Sequence, residues 1–376
     1  MAPDRRIRPL PSSPAVPSRE RLGIAPQPGP IDGESMSTAV AFFNNKGGVG
    51  KTTLACNYAA YEAGNDKSVL ILDLDPQCNS TQLVLDDDQW SDIYEDRDRS
   101  ERKTVMGLLR NIRAGNSDLE TDALDSIVPA ARFGVDILPG HPSMSIFEDI
   151  LSEAWGQFRA GLPAGARRTI WLRSLRDEVM DDYDVIVVDV SPSLGAINRS
   201  ALVGSDSFVT PMAPDLFSLY ALDNITTWFQ RWLGEYDVGR ANAADQLRAV
   251  GYNDALPDPL PIQHGFIGYT VQQYVSRASG GQIRQIEAYD QHRREIPARA
   301  NGLTELSRLS GDPALGTVPN MFSMIPLAQG CHAPIADLGR DDGLRGAQFS
   351  QQERYAEQLE EIFGEISDRV AGAAGA

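Results

Sequence analysis

The chain has 376 residues, with 34 Lys and Arg against 52 Asp and Glu, a formal charge of −18 and only three cysteines. That length can bury a large core without disulfides. Scattered Cys56, Cys78 and Cys331 exclude a disulfide framework or a paired-thiol metal site, and the acidity argues against a generic nucleic-acid binder without excluding a local basic patch.

Residues 1–35 hold eight prolines and five arginines without apolar periodicity, a composition that predicts disorder. No apolar core follows the arginines, which argues against a secretory signal. At Met36 the pattern changes abruptly to Ser37-Thr38-Ala39-Val40-Ala41-Phe42-Phe43, a buried-strand run. Two readings stay open: Met36 is the translation start, or 1–35 is a genuine flexible tail.

Directly after the strand comes Asn44-Asn45-Lys46-Gly47-Gly48-Val49-Gly50-Lys51-Thr52-Thr53-Leu54. Strand, glycine loop and helix in that order form a phosphate-binding loop. Glycines let backbone N–H groups curl around phosphate oxygens, and the helix points its positive end at the anion. Lys51 is placed for the β- and γ-phosphates, Thr52 for Mg²⁺ and Thr53 for the α-phosphate. Asn45 stands where the first glycine is usual, and a second lysine, Lys46, opens the loop.

The next strand, Val69–Leu74, closes on Asp73 and Asp75, two residues apart and so on one side of the strand end. Strand-end aspartates also serve as helix caps or turn residues, and this alternative stays open from the residues alone. A third strand, Asp184–Val188, ends at Asp189, followed by Val190-Ser191-Pro192-Ser193-Leu194-Gly195. An apolar run closing on Asp is the arrangement that holds Mg²⁺ beside a phosphate loop.

The loop K-G-G-x-G-K-T, the run Asp73–Thr81 and the run Asp189–Gly195 resemble the deviant Walker A, second acidic and Walker B motifs of the ParA/MinD family of ATPases. Cys78 stands where that family often has glycine, and Ser191 where it has proline. The resemblance covers about 160 residues and thins beyond Trp232. It implies a doubly wound, mostly parallel α/β P-loop domain over 36–376, binding ATP and Mg²⁺. It further implies that Lys46 reaches across a nucleotide-sandwich homodimer, Asp75 orients the attacking water and Asp73 supports the metal site. Cofactor contacts are expected from Lys46, Gly47, Gly48, Val49, Gly50, Lys51, Thr52 and Thr53, with Thr52, Asp73 and Asp189 at the metal. The loop after the last strand, read as Met321–Pro326, lines the adenine pocket in that family, which nominates Pro326 and Leu327.

Inserted segments are expected near 86–104, as a solvated loop or short helix, and near 237–263, as a long surface connection. Ser350–Val370 carries an apolar stripe at helical spacing opposite a face rich in Glu, and reads as a core-docking helix that anionic lipid would repel. Arg159–Arg176 and Arg277–Arg308 are the stretches available for non-specific DNA, with a solvated helix face the competing reading. The expected function is an ATP-driven partitioning or positioning ATPase working with an adaptor of the ParB type, cytoplasmic, and nucleoid-associated if it binds DNA. The rivals are an ATP-dependent switch in a mobile-element or defence module that ignores DNA, and a metabolic P-loop ligase.

Overall fold

The computed structural model describes residues 37–249, 251, 256–273 and 283–374. The disorder expected for 1–35, the reading of Met36 as a start and Arg277 of the second Arg-bearing stretch lie outside the described residues.

Eight strands form one sheet in the order β3-β4-β2-β5-β1-β6-β7-β8. They are β1 (Thr38–Phe42), β2 (Val69–Asp73), β3 (Val128–Ala130), β4 (Val135–Leu138), β5 (Val185–Asp189), β6 (Ser207–Met212), β7 (Phe266–Gln272) and β8 (Ala314–Val318). Every pairing is parallel except the edge pair β3–β4. Strands of a parallel sheet are covered on both faces, which explains the unbroken apolar runs of β1, β2 and β5. Their side chains alternate. Ala39, Ala41, Leu70, Leu72, Ile186 and Val188 enter one core, while Val40, Phe42, Val69, Ile71, Val185 and Val187 enter the other.

The second core is covered by α1 (Lys51–Gly64), by the short α2 (Asn79–Val84) and by the last helix, Gln348–Ala374. That last helix buries Tyr355, Leu359, Ile362, Phe363, Ile366 and Val370, so the apolar stripe docks onto the domain. Between α2 and β3, α3 (Asp87–Tyr94) opens with a capping box in which Asp86 and Gln89 satisfy each other's backbone N–H. The first core is covered by α4 (Met144–Arg159), α5 (Pro163–Thr169), α6 (Trp171–Val179), α7 (Ala196–Val203) and α8 (Leu216–Ala249). Further along the chain are α9 (Ile283–Thr304), α10 (Met324–Cys331) and α11 (Gln348–Ala374).

The segment 86–104 takes the short-helix form of its two readings, and Tyr94 ties it to the sheet by donating to the Gly140 carbonyl. Two expectations change. The connection expected over 237–263 is helical as far as Ala249, because α8 continues past Trp232 with Tyr236, Gly239, Ala243 and Leu247 still facing the core. The run Met321–Pro326 is not a strand. The last strand is β8, and Met324 opens α10, where Pro326 falls in the first turn and deprives no carbonyl of a partner. Among the described residues, no helix is long and apolar enough to cross a membrane.

Candidate nucleotide site

Parallel sheets present their ligands at the C-terminal strand ends, where the strand order switches direction. Here β1 lies between β5 and β6, and its end leads straight into the glycine loop. Asn44, fully buried, ties the loop to the sheet: its amide donates to the Pro211 carbonyl (2.7 Å), and its side-chain oxygen accepts from Lys46 N–H (2.9 Å). Gly48 and Gly50 take φ values of 72° and 80°, the left-handed region that favours glycine. A Cβ on Gly48 would meet nothing within 4 Å, so the loop leaves an open cradle, whereas one on Gly50 would come 2.7 Å from the Gln272 amide nitrogen.

Lys51 opens α1 and is 7% exposed, with its ammonium donating to the Lys46 carbonyl of the same loop (3.2 Å). Burial lowers its pKa, while the charges of Asp189 and Asp75 act in the opposite direction. Asp73 and Asp189 are register partners on β2 and β5, so two carboxyls emerge side by side, both fully buried. Thr52 and Ser80 donate to Asp189 Oδ2 at 2.8 and 2.6 Å. Thr81 donates to Asp73 Oδ2 through both its hydroxyl (2.7 Å) and its N–H (2.9 Å), and its hydroxyl accepts from Gly140 N–H (3.0 Å). Asp75 is 5% exposed and accepts from Gln77 N–H (2.9 Å).

Burial and the neighbouring carboxylates push Asp73 up to about 7. Burial pushes Asp189 up to about 6, against the hydroxyls of Ser80 and Thr52. Asp189 Oδ1 is buried and, among the described residues, has no hydrogen-bond partner. A desolvated carboxylate oxygen left unpaired beside a threonine hydroxyl is what a hard divalent cation takes up, and Mg²⁺ fits these donors.

The structure therefore brings Gly47–Thr53, Asp73, Asp75 and Asp189 to one end of three adjacent strands. Lys46 sits at the rim, where its ammonium pairs with Asp215 and lies 3.2 Å from the Ser218 hydroxyl at the start of α8. Pro326 and Leu327 are not brought into the cleft beside the loop. That cleft, of about 180 Å³, is lined by Gly50, Thr53, Gln272, Gln273, Asn320 and Ile325 among others, while Pro326 is exposed and Leu327 packs on the second core. Sequence reading passed over Ser80, Gln272, Gln273, Asn320 and Asp215. Ser80 alone sits inside a motif; the others carry no spacing signal.

The family described as AAA domain (AAA_31) matches residues 37–235, more than half of the chain. The crystal structure of protein DIP2308 from Corynebacterium diphtheriae is 32% identical, with a TM-score of 0.70 over 89% of this chain and 98% of that one. The chromosome-partitioning ATPase Soj of Thermus thermophilus is 30% identical over 56% of this chain. The chain belongs to the ParA/MinD-like family of P-loop ATPases.

A plasmid partition protein of Borrelia burgdorferi bound to AMPPNP shares the ParA-like fold, with a TM-score of 0.54 at 17% identity over 89% of this chain and 99% of that one. The chain spans 66% of the length of the Thermus Soj protein, so what lies outside that match in either protein is not described by the likeness. The residues matched by the AAA domain family, 37–235, contain all three motifs on which the ParA/MinD resemblance rests.

Proposed function

We propose that the chain is a ParA-like ATPase that binds Mg·ATP, closes a nucleotide-sandwich homodimer and hydrolyses ATP slowly, positioning a cargo through an adaptor of the ParB type. One observation carries this reading: the hydrogen-bonded set Thr52–Asp189–Ser80, with its unpaired carboxylate oxygen, next to Lys51 and an open glycine cradle. Lys51 and the loop N–H groups bind the β- and γ-phosphates. Thr52 and Asp189 hold Mg²⁺, which supplies neutralisation of phosphate charge. Asp75 orients the attacking water, and Asp73, held by Thr81, supports the metal site.

Lys46 serves the partner protomer's phosphates after leaving Asp215. A protein held in the cytoplasm, nucleoid-associated only if it binds DNA, is consistent with this cycle.

A DNA-independent switch gains support from the arginines of 159–176. Arg159 lies 3.7 Å from Glu235, Arg167 pairs with Asp118, Arg168 donates to the Asn116 and Gly115 carbonyls, and Arg176 is bonded to Asp206. Within 277–308, Arg299 pairs with Asp223, and Arg293 donates to Thr317. Four of the five arginines in 159–176 thus lie against acidic or carbonyl partners within the protein, which leaves that stretch less free to meet phosphates.

Size-exclusion chromatography of Asp75→Ala tests the cycle. The variant is expected to dimerise with Mg·ATP and to turn over roughly 10²-fold more slowly than wild type. Adding Lys46→Ala should return it to monomer. A monomer with Mg·ATP in both would overturn the sandwich mechanism, and DNA retained by the dimer fraction would overturn the DNA-independent switch.

A further inference from the structure

A second cleft, of about 330 Å³, opens on the sheet face away from α1, between α4, α7 and α8. Its walls are tryptophans: Trp155 from α4, and Trp228 and Trp232 from α8. Three arginines line it as well, namely Arg159, Arg199 and Arg231, against one carboxylate, Glu235. That carboxylate is already engaged. It accepts from Trp155 Nε1 (2.7 Å) and Arg231 Nε (3.2 Å), and Arg159 lies 3.7 Å away.

Arg199 is different. Its guanidinium carbon lies 4.2 Å from the Trp155 ring centroid, and among the described residues it has neither a hydrogen bond nor an ion pair. Burial lowers its pKa to about 10, with Glu235 and Glu148 acting in the opposite direction. Glu148 is committed elsewhere, accepting from the Ala196 and Ile197 N–H groups at the start of α7. Trp232 is 2% exposed, and its Nε1 has no acceptor among the described residues. A half-buried guanidinium stacked on an indole with no carboxylate bound to it, beside a buried indole N–H without an acceptor, points to a ligand that supplies an anionic group.

The cleft has the size of a small-molecule site. A guanidinium recognises phosphate and carboxylate through its planar fork, and indole walls favour a flat apolar body. We propose that the cleft binds a small aromatic anion, its phosphate or carboxylate head on Arg199 and its ring against the tryptophan walls. The site stands apart from the glycine loop and does not rest on the ATPase reading.

Tryptophan fluorescence of the full chain tests this, because three of its five tryptophans line the cleft. The probes are phenyl phosphate and benzoate, with benzyl alcohol as the uncharged ring and inorganic phosphate as the bare head. We expect saturable changes with phenyl phosphate or benzoate at a Kd of about 1 mM or below. Benzyl alcohol and inorganic phosphate should bind roughly tenfold more weakly or less.

Arg199→Gln should weaken binding by roughly tenfold or more. Gly156→Leu should abolish it with every charge retained, since Gly156 lines the cleft and a Cβ added there meets no atom within 4 Å, so the longer side chain grows into the cleft. Thermal melts of both variants verify folding. Lys51→Ala should leave the response intact. The proposal fails if no saturable change occurs, if benzyl alcohol matches the anions, if the response survives Gly156→Leu, or if Lys51→Ala removes it.

Discussion

The phosphate side of the candidate site and the cleft beside it, which we propose takes the base, are built in different ways. On the phosphate side the functional groups stand at the ends of β2 and β5 or on the loops and first helical turns that follow β1 and β2, and the three strands are neighbours paired in register. On the base side, Gln272 ends β7 with Gln273 just after it, and Asn320 follows the edge strand β8. That loop is held from far away in sequence, by Tyr355 of α11 donating to the Asn320 carbonyl (2.8 Å). Strand ends fix chemistry by backbone geometry, so residue type and spacing suffice to write it. A base wall assembled from edge loops depends on tertiary packing, and many sequences can build one.

If this contrast holds, damage should fall steeply from one side to the other. Lys51→Ala is expected to cost the most, roughly 10²-fold or more in ATP affinity by isothermal titration, because a buried ammonium faces the polyanion. Retention of near-wild-type affinity would mean that the base side dominates binding and would reverse the comparison.

Asp189→Asn should sharpen it through stability without nucleotide. The wild-type carboxyl is raised to about 6 in the fold. The unfolded chain therefore releases this proton first, and the group's contribution falls as pH rises from the ordinary carboxylate range to about 6, then stays constant. Asparagine has no such slope. Calorimetry without nucleotide should find the variant more stable than wild type above pH 6, by on the order of 1–3 kcal/mol, and the gap should close toward pH 4. A gap that ignores pH would show that Asp189 is not held against its charge.

The smallest effect belongs to the base side. Asn320→Ala should raise KM less than roughly tenfold with kcat unchanged, the signature of lost uniform binding in steady-state kinetics.

The same contrast explains what was legible in the sequence. The sheet's centre was, because apolar runs ending in Asp or glycine have few other solutions when both faces are covered. Ser80 escaped notice because its role depends on α2 folding back over β5, which no spacing encodes. Met321–Pro326 reads as a strand from its apolar run, yet Phe322 sits at φ 41° and Met324 begins a helix, so the run is a turn into α10. The extent of α8 was missed because residues past Trp232 are polar enough for a loop, while every third or fourth one still packs on α4 and α5. The tryptophan cleft joins residues from three helices and has no linear signature.

Glu148 has a wider consequence. Two helices start at neighbouring strand ends, α1 after β1 and α7 after the Asp189 loop. Both direct partial positive charge outward. The end of α7 is already occupied by a carboxylate reaching over from α4, while α1 has neither an acidic residue in its first turn nor a side-chain cap. The two helix ends thus compete unequally for an incoming anion. One has its counter-charge built in and the other does not, so a polyphosphate arriving at this edge of the sheet is sorted toward the glycine loop before any side chain touches it.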